Sequence, residues 1–504
     1  MVRTRPILWG AARARRVDRG LLVLLLTFVL LLPLLTPRLY ATDSVQYYVY
    51  LRSLAFDRDL DFTNEYARFH ELNPDSGIAG ALLPRQDPTT GELFNIDPHT
   101  HKPINVAPVG SAILWAPAFA LAHGVVLLAN VGGAAIPADG FSTPYIAAIC
   151  LASALYGLGG LLLCYRIARR YSGVWAATAA TIVCWLASPL LFYMYISPPW
   201  SHTGGLFMVA LFVWYWLRTR PQRSLGQWLW LGLIGGLMVM SREQLGLFLL
   251  LPALEALTNY WRLLRTRQWT AISRLFAVHA AFLVVFVVAL APQLLAYITL
   301  NGHIGPSEVV LAKLRKVPPD PYAHGFLGSG HFWDTLVDPR PSPATGRWFA
   351  HGAFLWTPVW ALALAGLPLL WRRDRLLLAL LGVALFAQVW VNGRFGTTWH
   401  LSGAFGFRRL IEASPVFVLG LALLIERLRL PRGAWTLLGA LLIAWNIGLI
   451  FQWTVLGTAD KELRRGLVWE TMLRHQLSLP IKASQKLPQL LFDRDTFYEN
   501  KPAQ

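Results

Sequence analysis

Asp43 is the residue best placed for acid–base chemistry. It stands in Tyr40-Ala41-Thr42-Asp43-Ser44, just beyond a first apolar segment, Leu21 to Pro37. A carboxylate where the chain leaves a bilayer can take a proton from an acceptor hydroxyl or amine while a lipid-linked donor waits in the membrane. After it, Val45, Tyr47, Tyr48, Tyr50, Leu51 and Leu54 give an amphipathic helix suited to lying along the interface. Thr42-Asp43-Ser44 would serve equally well as a helix N-cap, and the pattern alone does not choose between base and cap.

Anion chemistry needs cations, and they occur at three places. Arg242, in Ser241-Arg242-Glu243-Gln244, separates two short apolar segments, Trp228–Met240 and Leu245–Leu257. A charge so placed has an interior partner, for which Glu243 is the nearest candidate, or a phosphate ligand. The run from Asn392 to Arg409 is glycine-rich and carries Arg394, His400, Arg408 and Arg409. Glycine lets backbone approach a ligand, and arginine grips phosphate bidentately. Lys102 follows His99 and His101 and precedes Pro103, at the entry to the next apolar segment. It can meet a lipid phosphate at headgroup level or simply snorkel.

Metal chemistry has little support. Histidines two residues apart with no third ligand are weak evidence for a site. Asp57, Asp59, Asp61 and Glu65 alternate as in a calcium loop, but Phe62 stands where glycine is needed and Arg68 where the bidentate glutamate is needed. A solvated acidic turn is the better reading. Cys150, Cys164 and Cys184 lie within apolar segments without CxxC spacing, so neither a disulfide framework nor a zinc site is expected.

These residues must be held by membrane helices. Of 504 residues 55% are hydrophobic and 14% charged, and the apolar residues come in long runs broken by Arg-rich or Pro/Gly-rich turns. The fold expected is all-α and polytopic, because only helices or closed barrels satisfy their backbone groups in lipid. The net charge of +18 sits at the ends of apolar segments and forms no continuous basic domain, which argues against nucleic acid.

Sidedness follows from arginine. Residues 1–20 form a basic cytoplasmic N-terminus, and Thr36-Pro37-Arg38-Leu39-Tyr40 is a poor cleavage site, so the first helix is expected to be retained. Clusters at Arg166–Arg170, Arg218–Arg223, Arg262–Arg274, Arg372–Arg375 and Arg427–Arg432 mark further cytoplasmic turns. The membrane domain then spans 21–456 with about eleven crossings, provided Val106–Ala129 is re-entrant or interfacial. External loops fall at 38–105, 301–352 and 392–410, and the tail 457–504 is external. The first loop holds ten acidic residues against six basic ones, whereas the second is basic, with Lys313, Arg315, Lys316, Arg340 and Arg347. An acidic and a basic loop on one face suit a site that handles both a deprotonating group and an anion.

Four short stretches, in this order, resemble the C-type superfamily of integral-membrane glycosyltransferases, which includes protein O-mannosyltransferases and lipid A aminoarabinose transferases. They are Asp43-Ser44-Val45-Gln46-Tyr47, Lys102-Pro103, the Gly-x-x-x-x-Ser-Arg pattern from Gly236 to Arg242, and Gly406-Phe407-Arg408-Arg409. The chain departs from the family in having Asp43-Ser44 where many members have Asp-Glu, and Lys102-Pro103-Ile104 where His-Pro-Pro or Lys-Pro-Pro is usual. It therefore resembles a divergent bacterial branch.

The resemblance implies an inverting transfer from a polyprenyl-phosphate sugar, without nucleotide or divalent metal. Asp43 would act as the base at the acceptor. Lys102, Arg242, Arg394, Arg408 and Arg409 would neutralise the leaving phosphate, with His400 and His101 in support. The expected function is transfer onto an envelope glycan, lipid or protein at the external face of the cell's inner membrane. A transporter or flippase of lipid-linked saccharides is the alternative, and a non-catalytic assembly subunit the third. A transporter tends to show paired repeats and broken helices in both halves, whereas here the polar residues collect in external loops.

Overall fold

Apolar runs this long form helices, and the computed structural model is built of them. It describes residues 18–39, 41–74, 77–91, 93–220, 222–315, 331–337, 351–394, 399–401, 403–454 and 469–492. Residues 1–17 of the basic N-terminus, Tyr40, and Lys316, Arg340 and Arg347 of the second loop lie outside them, as do Lys461, Arg464 and Arg465 of the tail.

Helix α1 (Arg19–Leu31) leads into the first long loop. That loop is itself structured, with α2 (Thr42–Arg52), a π-helical turn at Ser53–Asp57, α3 (Thr63–Leu72), α4 (Ile78–Ala81) and a hairpin pairing β1 (Arg85–Gln86) with β2 (Leu93–Phe94). The main bundle follows as α5 (Gly110–Val131), α6 (Thr143–Arg169), α7 (Val174–Leu186), α8 (Ser201–Thr219) and α9 (Leu225–Ser241). Ser224 and Gln227 close a reciprocal capping box at the start of α9. A 3₁₀ turn at Glu243–Leu249 then leads to α10 (Leu250–Arg265), α11 (Trp269–Ala289) and α12 (Ala291–Asn301). The apolar run Leu275–Leu300 is thus two helices, broken just before Pro292, where proline cannot continue the hydrogen-bond ladder.

The remainder comprises the short α13 (Glu308–Arg315), α14 (Asp334–Val337) and α15 (Ala353–Trp356), then α16 (Pro358–Gly366), α17 (Arg375–Gly393), α18 (Ser414–Leu428), α19 (Arg432–Thr454) and α20 (Trp469–Phe492). Among the described residues, α5, α6, α11, α17 and α19 are long and apolar enough to cross a membrane. The protein is an all-α polytopic membrane protein. Helix α5 runs unbroken for 22 residues through Pro117, long enough to cross, where the parity of the basic turns had suggested a re-entrant or interfacial segment.

Among the described residues two hydrophobic cores result. The larger joins α1, α6 to α9 and α16 to α18, and includes Trp185, Trp216, Trp360 and Phe417. The smaller seats the first long loop on α5 and α6 through Tyr48, Phe62, Tyr66, Phe69, Phe119 and Tyr145. All three cysteines are buried and free. Helices α16 and α18 touch backbone to backbone: a Cβ added at Gly366 would lie 2.0 Å from the Gly420 carbonyl oxygen, and one at Gly420 2.1 Å from that of Ala363. Only glycine allows this approach.

Candidate functional site

A cavity of about 360 Å³ opens where α2, the 105–109 stretch, the 3₁₀ turn after α9, and the segment before α18 converge. Asp43, Gln46, Tyr47, Arg242, Glu243, Gln244, His400, Arg408 and Arg409 supply its polar lining. Residues from positions 43, 242 and 400–409 therefore share one space.

Asp43 lies in the first turn of α2, whose N-cap is Ala41 without a side-chain capping bond. The capping role that the sequence equally allowed is thus not taken. Its Oδ2 instead accepts from Arg408 Nη2 at 2.8 Å, and its side chain is 43% exposed against 15% for Arg408. One edge of the carboxylate is on the guanidinium and the rest is open to the cavity.

Arg408 is aimed by the turn before it. Gly406 has φ +59°, and a Cβ there would come within 2.7 Å of Pro189 Cγ. The chain then enters a 3₁₀ turn, Arg408–Ala413, that puts Arg408 and Arg409 on the cavity wall. The Arg408 guanidinium lies 4.2 Å from the centre of the Trp200 ring, and the Trp200 indole nitrogen donates to Ser197 Oγ at 2.9 Å. Arg408 Nη1 is buried without a hydrogen-bond partner. Burial, together with the nearby Arg242 and Arg408 charges, depresses Arg409 to about 9. The wall thus carries crowded positive charge, the electrostatic condition for holding an anion.

Arg242 is paired, but not with Glu243. Its Nη1 lies 3.1 Å from Glu412 Oε1, and His202 Nδ1 lies 2.9 Å from the same oxygen. An Nδ1 that donates to Glu412 has no lone pair for Arg242. The guanidinium nitrogen, 2.6 Å from Nδ1 and 3.2 Å from Nε2, therefore packs against the imidazole and has its charge partner in Glu412. Glu243 turns to the other side and accepts from the Tyr297 hydroxyl. Sequence reasoning missed His202 and Glu412, although an ionisable residue inside an apolar segment is itself a signal.

The neighbouring wall is held by side-chain amides. Gln46 Oε1 accepts from the Val106 amide at 2.8 Å, and Gln293 Oε1 from that of Val109 at 2.8 Å. Tyr47 accepts from Ser201 Oγ at 2.9 Å, tying α2 to α8. His400 reaches the cavity lining, and its carbonyl accepts from the His351 amide at 3.0 Å.

Three residues named from the sequence lie elsewhere. His101, at φ +55°, and Lys102 belong to a turn before the Ile96–Pro103 bridge, and this turn docks on the end of α12 through Thr100 Oγ1 and the Leu300 carbonyl, 2.6 Å apart. Arg394 caps α17 and lies 5.7 Å from the Trp390 ring centre. None of the three lines the cavity.

The acidic run of the first loop is consumed internally. Asp57 and Glu65 pair with Arg52, Asp59 accepts from Ser53 Oγ at 2.8 Å, and Asp61 accepts from the Thr63 hydroxyl at 2.7 Å. Among the described residues, no three His, Cys, Asp or Glu side chains are grouped so as to hold a metal ion.

Residues 142–294 match the family described as dolichyl-phosphate-mannose-protein mannosyltransferase. This stretch covers α6 to α11 and includes His202 and Arg242. It contains one of the four stretches that carry the resemblance to C-type membrane glycosyltransferases, Gly236 to Arg242. No curated protein matches the chain by sequence. Among solved structures, ArnT from Cupriavidus metallidurans bound to undecaprenyl phosphate is 16% identical, with 94% of this chain and 72% of that one covered and a TM-score of 0.46. The same protein in its apo state is 17% identical over 87% and 66% of the two chains, with a TM-score of 0.44.

Proposed function

We propose that the protein is a C-type membrane glycosyltransferase that moves a sugar from a polyprenyl-phosphate donor to an envelope glycan, lipid or protein acceptor at the external face of the inner membrane. The carrying observation is the joining of Asp43 to Arg408 beside Arg242 and Arg409 in one cavity. A base and an anion site are thereby brought within one substrate's reach, although they come from opposite ends of the chain.

In the proposed step the acceptor's O–H or N–H proton passes to Asp43 as its heteroatom attacks the sugar's anomeric carbon. The bond from that carbon to the phosphate oxygen breaks, and polyprenyl phosphate leaves as an anion with inversion. Arg408 couples the two ends: Nη2 orients Asp43, and the guanidinium charge stands on the cavity wall where the phosphate would lie. Arg242 and Arg409 add charge where it develops. No step requires a metal ion. In the topology that goes with this reading, the N-terminus is cytoplasmic and the C-terminus external.

The test is to supply labelled polyprenyl-phosphate sugar to membranes carrying the parent, Asp43→Asn or Arg408→Ala protein and follow transfer. Parental rates in a folded Asp43→Asn protein would remove the catalytic assignment.

A further inference from the structure

The turn that aims Arg408 is gripped from below by one side chain. Tyr193 lies in the π-helical turn Phe192–Ile196 and is 1% exposed. Its hydroxyl donates to the Phe405 carbonyl at 3.2 Å and accepts from the Phe405 amide at 3.1 Å, so it holds both polar groups of one residue. Phe405 immediately precedes Gly406, the left-handed residue from which Arg408 projects. The same hydroxyl faces the Arg408 guanidinium. The Tyr193 ring lies edge-on to Trp200 at 5.6 Å between ring centres and tilted against His202 at 5.0 Å. Trp200 in turn carries Arg408 on its face, and His202 meets Arg242.

One phenol therefore touches the supports of both arginines. Its position is fixed independently of the site: the Tyr195 carbonyl, two residues on, accepts from the Thr36 amide at 2.8 Å. A π-helical turn widens the helix locally, and such turns recur where a side chain must be re-aimed.

We propose that Tyr193 is the positioning residue that sets the Arg408 guanidinium, and through Trp200 and His202 the phosphate-binding wall, for the lipid phosphate of the donor. This rests on the polyprenyl-phosphate reading of the cavity. Tyr193 touches no reacting atom; it acts by holding Phe405 and the turn at Gly406. Tyr193→Phe keeps the ring contacts and removes only the hydroxyl, leaving the Phe405 amide and carbonyl without this partner and the turn free to shift.

The experiment measures binding of a short-chain polyprenyl monophosphate to purified full-length protein in detergent, and the KM for donor and for acceptor separately. For Tyr193→Phe, binding is expected to weaken about tenfold and the donor KM to rise correspondingly, with the acceptor KM unchanged. Placing 4-aminophenylalanine at position 193, which restores a donor to Phe405, should recover most of the loss. Arg408→Ala serves as the reference for complete loss of the contact. Phosphate binding by Tyr193→Phe within twofold of the parent, while Arg408→Ala loses it, would overturn the positioning role and leave the donor reading intact. Equal changes in donor and acceptor KM would also overturn it, since a general loosening has that signature. A parent protein that binds no polyprenyl phosphate removes the donor reading and this role with it.

Discussion

Arg408 and Asp43 are 365 residues apart in the chain and 2.8 Å apart in the fold, Nη2 to Oδ2. A carboxylate held by a guanidinium keeps a defined orientation, and one that is partly exposed can still receive a proton from a substrate. Asparagine in its place preserves an oxygen for Arg408 but cannot act as a base. Asp43→Asn is therefore expected to slow transfer by about 10²- to 10⁴-fold while polyprenyl phosphate binding stays near parental. Radiolabel transfer and lipid binding, measured on the same preparation, separate the two effects.

Glu412 receives both Arg242 and His202 in a buried setting. Removing it leaves a buried guanidinium without its counter-charge. Glu412→Ala is expected to cost about 3 kcal/mol of stability. Arg242→Ala added to it should recover part of that loss, which a double-mutant cycle on thermal unfolding in detergent would detect. Additive losses would show that the two residues are not coupled.

Gly406→Ala combines a left-handed backbone, costing about 1–2 kcal/mol for a side-chain-bearing residue, with a Cβ 2.7 Å from Pro189 Cγ. The turn must move, and Arg408 with it. Donor use should fall more than the melting temperature alone would explain, and transfer assayed at saturating and limiting donor checks this.

Glu65 is buried within the structured loop that follows α1, and that burial pushes its carboxyl up to about 7 against the pull of Arg52. A carboxyl whose folded pKa lies above its unfolded value favours folding most at low pH, and that contribution is lost as pH rises through the folded pKa. Local stability of residues 42–72 should therefore decline between about pH 4.5 and about pH 7, then level off. Glu65→Gln should flatten that slope. Hydrogen exchange across α2 and α3 is the measurement, and an identical slope in the glutamine protein would refute the assignment.

The membrane helices and the groups at Asp43, Arg242 and Arg408–Arg409 were legible because each breaks a local pattern. Asp43 ends an apolar run, Arg242 interrupts one, and the two late arginines sit on a loop where the charge rule disfavours them. Their convergence was legible only through order along the chain. What was not legible depends on distant packing. Arg242 ignores its neighbour Glu243 for Glu412, 170 residues away, because the turn at Glu243 faces Tyr297. Lys102 broke no pattern beyond carrying charge near an interface, whereas Arg394 shares the loop of Arg408 and Arg409 but caps α17, and both lie outside the cavity lining. Helix α5 is unbroken for 22 residues, a length that the loop arginines do not report.

Gly366 and Gly420 bring two helix backbones closer than any side chain permits. For anyone diversifying this protein, that contact divides the sequence into unequal territories. Positions 366 and 420 should return only glycine from a saturation library selected for folded protein. The cavity-lining Val106 and Val310 stand clear of that seam, so they are where substrate preference can be altered without unseating the segment that carries Arg408.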